Sequence, residues 1–249
     1  MSEAARQALH DEIRPLLRSY VKAVKTVFGS SLDGVILYGS VARGDFLPGR
    51  SNINLVLLLV RHDVALLQAY AKTHRRWAKE HVVVPLFITA SELQHSAHLF
   101  PLEYLEIKEC HLLLDGRDPF LDLRIDLVHL RVQCQQELHG NLLRLRQRFV
   151  EGGGKPEAVG MLLPLSVTSL VSCLRGLFAT MGVPAKQPNE DVLQAVQVHL
   201  GIDPRALLEA WRLKRGLISP GTAEVPRLFE RYVSTLETLV ERVEQGHKL

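Results

Sequence analysis

The segment LYGSVARGDFLPGRSNINLVLLL, residues 37–59, carries more structural information than any other part of the chain. The apolar run 34–38 predicts a buried strand, and the glycine–serine pair 39–40 breaks it before a short helix. The proline–glycine pair 48–49 predicts a loop. The run 52–60 is apolar almost throughout, which predicts a second strand that is buried on both faces.

This order of elements resembles the nucleotidyltransferase superfamily that includes DNA polymerase β and the aminoglycoside nucleotidyltransferases. In that family an apolar strand leads into Gly-Ser, a helix that often reads Ala-Arg-Gly follows, and Asp-x-Asp lies on the next strand. Here Gly39 and Ser40 match the turn, and residues 42–44 read Ala-Arg-Gly. Asn52 and Asn54 lie where the two aspartates are expected.

The resemblance implies a site for nucleotide phosphates at the Gly-Ser turn. Residues two apart on a strand point to the same face, so the family's two carboxylates can hold Mg²⁺ ions that bridge the phosphates. The turn lets backbone N–H groups at a helix start face the anion. By this resemblance the phosphate-binding residues are Gly39, Ser40 and Arg43.

The sequence departs from the family pattern at the metal ligands. Asn52 and Asn54 carry amides, which are neutral ligands, whereas Mg²⁺ prefers carboxylates and phosphate oxygens. The family's third carboxylate lies on a following strand, and residues 82–89 contain no Asp or Glu. We therefore expect no metal site, and Mg²⁺ and a nucleoside triphosphate are cofactors only if the family activity survives. Asp45 and Asp33 are the substitute carboxylates to consider. The pattern at Asp45 is typical of a solvated or capping residue. Asp33 precedes the first strand, at the end away from the Gly-Ser turn, and is typical of a turn residue.

Outside this segment, helical spacing alternates with apolar runs up to residue 118, and helical spacing alone continues after it. The predicted helices cover residues 3–28, 63–79, 121–150, 157–180, 189–200, 204–215 and 223–244, and the further strands cover 81–89 and 109–114. Pro85 favours an edge position or a bulge for the strand 81–89. The pattern predicts an α/β domain with a small mixed sheet, residues 1–118, and an all-helical bundle domain, residues 119–249.

The resemblance extends beyond the glycine–serine segment. Residues 100–120 look like a segment that joins this catalytic domain to a helical one in bacterial nucleotidyltransferase-like proteins. The helical tail is similar to the helical domains of the kanamycin nucleotidyltransferase type.

Composition narrows the class of protein and its partners. With 47% hydrophobic residues, the chain has the apolar content that a disordered chain lacks. The net charge of +3 gives no indication of nucleic-acid binding. The three scattered cysteines favour free thiols in a reducing cytoplasm. The start MSEAARQALHDEIRP lacks the apolar region of a signal peptide, and the longest apolar run, 55–60, is too short to span a bilayer.

Three functions are compatible with these observations. The first is a nucleotidyltransferase-fold protein that has lost two-metal catalysis and binds a nucleotide or a partner. The second is an active nucleotidyltransferase that moves a nucleoside monophosphate to a hydroxyl group. In that case Asp45 and the amides of Asn52 and Asn54 suffice to bind Mg²⁺ or Mn²⁺. The third is a structural protein without nucleotide binding whose helical domain supplies an interface, for a protein partner or as a homodimer.

Overall fold

The computed structural model describes residues 3–46, 51–185 and 187–245, with the side chains of the first helix from residue 13 onward. The predicted proline–glycine loop at 48–49 lies outside the described residues. The chain divides into two compact units, Met1–Ile125 and Asp126–Leu249. Each unit is described separately.

The first unit combines a four-stranded sheet with five helices among its described residues. In chain order these elements are α1 (Glu3–Phe28), β1 (Leu32–Tyr38), α2 (Ser40–Arg43), β2 (Asn54–Leu59), α3 (Val64–Ala78), β3 (Leu86–Thr89), α4 (Ala90–Ser96), α5 (Pro101–Glu109) and β4 (His111–Gly116). The strand order is β3-β2-β1-β4. β1 pairs antiparallel with β2 and β4, and β2 pairs parallel with β3. The predicted small mixed sheet is confirmed.

Strand β2 is covered on both faces, as its continuous apolar character predicts. Leu55 and Leu57 lie in one core with the α1 residue Tyr20, while Val56 and Leu58 lie in the opposite core. All four β2 residues are fully buried. Because successive side chains of a strand point to opposite faces, a strand between two cores must be apolar at every position.

The third strand is shorter than the sequence predicts. Regular pairing covers Leu86–Thr89, and upstream of it a single bridge joins Val82 to Ile53. Pro85 lacks an N–H to donate to a sheet neighbour, which accounts for the interruption. The strand lies at the edge of the sheet, as Pro85 favours.

The first unit extends beyond the boundary expected after residue 118. Phe120 and Leu123 are fully buried in the same core as Ile36, so the segment up to residue 125 packs onto the sheet. The next helix starts at residue 127, six residues later than predicted, because the Asp126 carboxylate accepts hydrogen bonds from the first N–H groups of that helix.

The second unit consists of helices in its described part. They are α6 (Leu127–Glu151), α7 (Pro156–Thr180), α8 (Asn189–Leu200), α9 (Arg205–Arg215) and α10 (Glu224–Gln245). One apolar stripe of α6 is buried, at Leu130, Cys134, Leu138, Leu142 and Leu145. Leu127 is half exposed at the helix start.

Helix α7 is the most apolar helix in the described ranges. By length and composition alone it could cross a membrane, a criterion that a buried core helix also meets. It packs against α6, α8, α9 and α10. Its apolar surface therefore serves as the centre of the helical unit.

Candidate functional site

The glycine–serine turn lies where β1 ends and α2 begins. Gly39 has φ 78° and ψ −146°, a conformation that L side chains rarely adopt, so a glycine is required there. Ser40 starts the helix, and its carbonyl accepts the N–H of Asp45 at 2.8 Å. The left-handed Gly44 ends the helix. The segment that the resemblance identified thus forms a strand, a sharp turn and one helical turn.

Asn54 lies directly beside this turn. It is opposite Tyr38 in the β1–β2 ladder, at the first position of β2. A Cβ built on Gly39 would lie 2.7 Å from Asn54 Nδ2. The amide of Asn54 therefore occupies the space next to the Gly39 backbone, at the edge of the turn.

The residues around Asn54 do not fit a Mg²⁺ site. Asn52 is exposed and precedes β2, so its amide is more accessible to solvent than the amide of Asn54. The residues level with Asn54 on the neighbouring segment lie between Val82 and Leu86 and are two valines and a proline. Within the described ranges no group of three or more His, Cys, Asp or Glu side chains could hold a metal ion.

Arg43 is the last residue of α2, the helical turn that follows Gly39. Its side chain is 8% exposed, and its Nη2 lies 3.9 Å from Glu106 Oε1. Its Nη1 is buried and has no hydrogen-bond partner among the described residues. A buried guanidinium with an unused N–H is costly unless an acceptor reaches it, so the position suits an anion.

Glu106 is a site residue that sequence reasoning missed. It lies on α5, far from the turn in sequence, and reaches Arg43 across the end of the sheet. Burial raises the pKa of the Tyr38 phenol, and the charge of Glu106 raises it further. Tyr38, Arg43 and Glu106 therefore share one partly buried polar cluster. No sequence pattern marks Glu106, because its proximity depends on how α5 packs.

Asp45 follows α2 and is half-buried. Its Oδ2 is buried and has no hydrogen-bond partner in the part of the chain that the structure describes. The sequence pattern suggests a solvated carboxylate at Asp45, whereas this carboxylate oxygen is buried. The backbone N–H of Asp45 donates to the Ser40 carbonyl, which places Asp45 beside the turn.

The sheet, the glycine–serine turn and the helical unit together define the nucleotidyltransferase fold. A solved structure with the same architecture is the spectinomycin adenyltransferase AAD(9) from Enterococcus faecialis, crystallised with ATP and spectinomycin. The match has a TM-score of 0.56 and covers 89% of this chain and 98% of that chain at 11% sequence identity. No protein-family model and no curated protein matches this sequence. The likeness shows the fold, which does not by itself fix an activity.

Proposed function

We propose that this protein keeps the nucleotidyltransferase scaffold without two-metal catalysis and binds the phosphates of a nucleotide at Gly39, Ser40 and Arg43. The observation that carries the proposal is the pair of Asn54 and Arg43. An amide stands beside the turn where the resemblance implies a metal carboxylate, while a buried guanidinium with an unused N–H remains close by.

A site of this composition attracts anions directly. In the family, metal ions carry the positive charge that the phosphates meet. Here the positive charge comes from Arg43, and the first N–H groups of α2, which have no acceptor inside the helix, add donors. Because α2 has four residues, its dipole adds little, and the guanidinium dominates.

Calorimetric titration of ATP, with Mg²⁺ and separately with EDTA, tests this proposal. We expect binding that persists in EDTA and is weakened at least about tenfold by Arg43→Met, since a charge-assisted contact to phosphate is lost. Arg75→Met is the matched control, because Arg75 is exposed on α3 and also loses one positive charge. Absence of ATP binding in both buffers would contradict the proposal.

The second candidate is an active nucleotidyltransferase. Two observations favour it: the similar fold belongs to an adenyltransferase whose crystals contain ATP, and Asp45 keeps a buried carboxylate oxygen near the turn. In this case transfer of a nucleoside monophosphate to a hydroxyl acceptor depends on Asp45. Asp45→Ala then abolishes release of pyrophosphate from ATP, and unchanged turnover in that variant would exclude this role for Asp45.

The third candidate is a partner-binding or homodimeric protein, supported by exposed apolar side chains on the helical unit. Leu143 on α6 and Met161 and Leu165 on α7 are more than half exposed. Cys110, Cys134 and Cys173 form no disulfide within the described residues, which supports a reducing, cytoplasmic location for any of these functions. If a mass measurement in solution gives a monomer and ATP binds in EDTA, the first candidate is the one that remains.

A further inference from the structure

The pairing of Arg43 with Glu106 suggests how access of an anion to the candidate site is controlled. Arg43 is more than nine-tenths buried, whereas the Glu106 side chain is 28% exposed. At 3.9 Å, the contact between Nη2 and Oε1 is longer than a hydrogen bond, so it is an electrostatic contact without a fixed geometry. The glutamate neutralises the guanidinium without occupying its donors.

We propose that Glu106 is a built-in competitor of the phosphate ligand, which must be displaced from Arg43 before a nucleotide binds tightly. This inference rests on the proposed nucleotide-binding function. Glu106 lies on α5, in a different part of the unit from the turn, so the site is assembled from two segments that are distant in sequence.

The argument begins with the unused donor of Arg43. Buried Nη1 has no acceptor among the residues that the structure describes, and it belongs to the same planar fork as Nη2. A phosphate that accepts from both nitrogens would lie immediately beside the Glu106 carboxylate. Two anions at that separation repel each other strongly in a partly buried site.

The Glu106 side chain is partly exposed to water. A carboxylate that a phosphate displaces from Arg43 can therefore be hydrated, whereas the guanidinium, at 8% exposure, has little access to water. The neighbouring Tyr38 phenol stays neutral at physiological pH, since burial and the Glu106 charge both raise its pKa. Tyr38 therefore adds no competing negative charge, and Glu106 is the anion that a phosphate has to replace.

The test compares Glu106→Gln with the wild-type protein by calorimetric titration of ATP and of inorganic pyrophosphate in EDTA and phosphate-free buffer. We expect the variant to bind both ligands about tenfold more tightly, because the isosteric amide removes the repulsion. Glu109→Gln is the matched control, since it removes one negative charge from the same helix three residues further on. It should bind like the wild type.

Thermal unfolding supplies a readout that does not depend on the wild-type affinity. Without ligand, Glu106→Gln should have a lower Tm than the wild type, because Arg43 loses its counter-charge. Pyrophosphate should raise the Tm of the variant more than that of the wild type. If Glu106→Gln does not fold, Glu106→Asp replaces it, since the shorter side chain withdraws the charge from Arg43, and tighter binding than the wild type is again expected.

The outcomes distinguish failure of this inference from failure of the proposed nucleotide-binding function. If the wild type binds ATP in EDTA and Glu106→Gln binds no more tightly than Glu109→Gln, the inference is overturned and the proposed function stands. If no variant binds either ligand, both are overturned. If Glu106→Gln is the only protein tested that binds ATP or pyrophosphate, the inference is supported, because the glutamate then prevents binding in the wild type.

Discussion

The amide of Asn54 packs against the Gly39 backbone so closely that a Cβ on Gly39 would lie 2.7 Å from Asn54 Nδ2. This contact joins the first residue of β2 to the turn that follows β1. Gly39 also has a φ of 78°. The turn therefore requires a glycine for its dihedral angle, and a Cβ there would also force the Asn54 amide to shift.

Gly39→Ala should destabilise the first unit by about 1–3 kcal/mol, because the new methyl group meets both the unfavourable φ and the Asn54 amide. Gly29→Ala is the control, since Gly29 also has a positive φ but open space around its Cα. Urea unfolding should show the larger loss for Gly39→Ala. Adding Asn54→Ala should recover part of that loss, and strict additivity in the double-mutant cycle would contradict the contact.

Asn52→Asp combined with Asn54→Asp should create a dependence of ATP binding on Mg²⁺. Two carboxylates at these positions would supply the oxygen ligands that Mg²⁺ prefers and that the amides lack. We expect ATP affinity in Mg²⁺ to exceed that in EDTA for the double variant, as measured by calorimetry. Asn52→Asp alone adds one exposed carboxylate and serves as the control; equal affinities of the double variant in both buffers would count against the assignment of these positions.

The hydroxyl groups of Tyr20 and Tyr70 are 2.8 Å apart in the core, and Tyr70 also meets His74 Nδ1 at 3.2 Å. Burial raises the pKa of Tyr20 far above its ordinary 10.0 and that of Tyr70 to about 12. Because the folded state keeps these phenols protonated while the unfolded state releases their protons near 10.0, their contribution to stability is complete below that pH. It declines as the pH rises toward about 12.

Tyr20→Phe should therefore lose about 1 kcal/mol of stability at neutral pH, where one buried hydrogen bond is missing. The difference from the wild type should shrink at about pH 11, because the variant has one fewer phenol to keep neutral. Urea unfolding at both pH values measures this. A gap that stays constant with pH would show that Tyr20 is not held neutral by folding.

Arg175 is buried at the end of α7 and holds the segment that leads into α8. Its guanidinium donates to the carbonyls of Ala185 and Gln187 and to Asn189 Oδ1. Arg175→Met should lower the free energy of unfolding by about 2–4 kcal/mol, because one buried and two partly buried acceptors lose a charged donor. Arg146→Met removes an exposed arginine paired with Glu237 and should change stability by less than about 1 kcal/mol. Equal effects in urea unfolding would contradict the anchoring role.

The architecture of the first unit could be predicted because its signals are local. The continuous apolar run of β2 indicates a strand between two covered faces, and the glycine–serine pair indicates the turn. Pro85 favoured an edge position or a bulge, and β3 lies at the edge of the sheet. The boundaries that differ from the prediction depend on packing and capping. Phe120 and Leu123 are buried in a core of the first unit, and the Asp126 cap sets the later start of α6.

The sequence by itself determined the strands of the first unit, the position of the glycine–serine turn and the absence of carboxylates at residues 52 and 54, since each depends on residues close together in the chain. Helix α5 was not among the predicted helices. Only the tertiary structure brought Glu106 to within 3.9 Å of Arg43 and placed Asn54 against Gly39. The physical reason is that these contacts join segments that are separate in sequence. Their distances follow from how α5 and β2 pack, which no local spacing encodes.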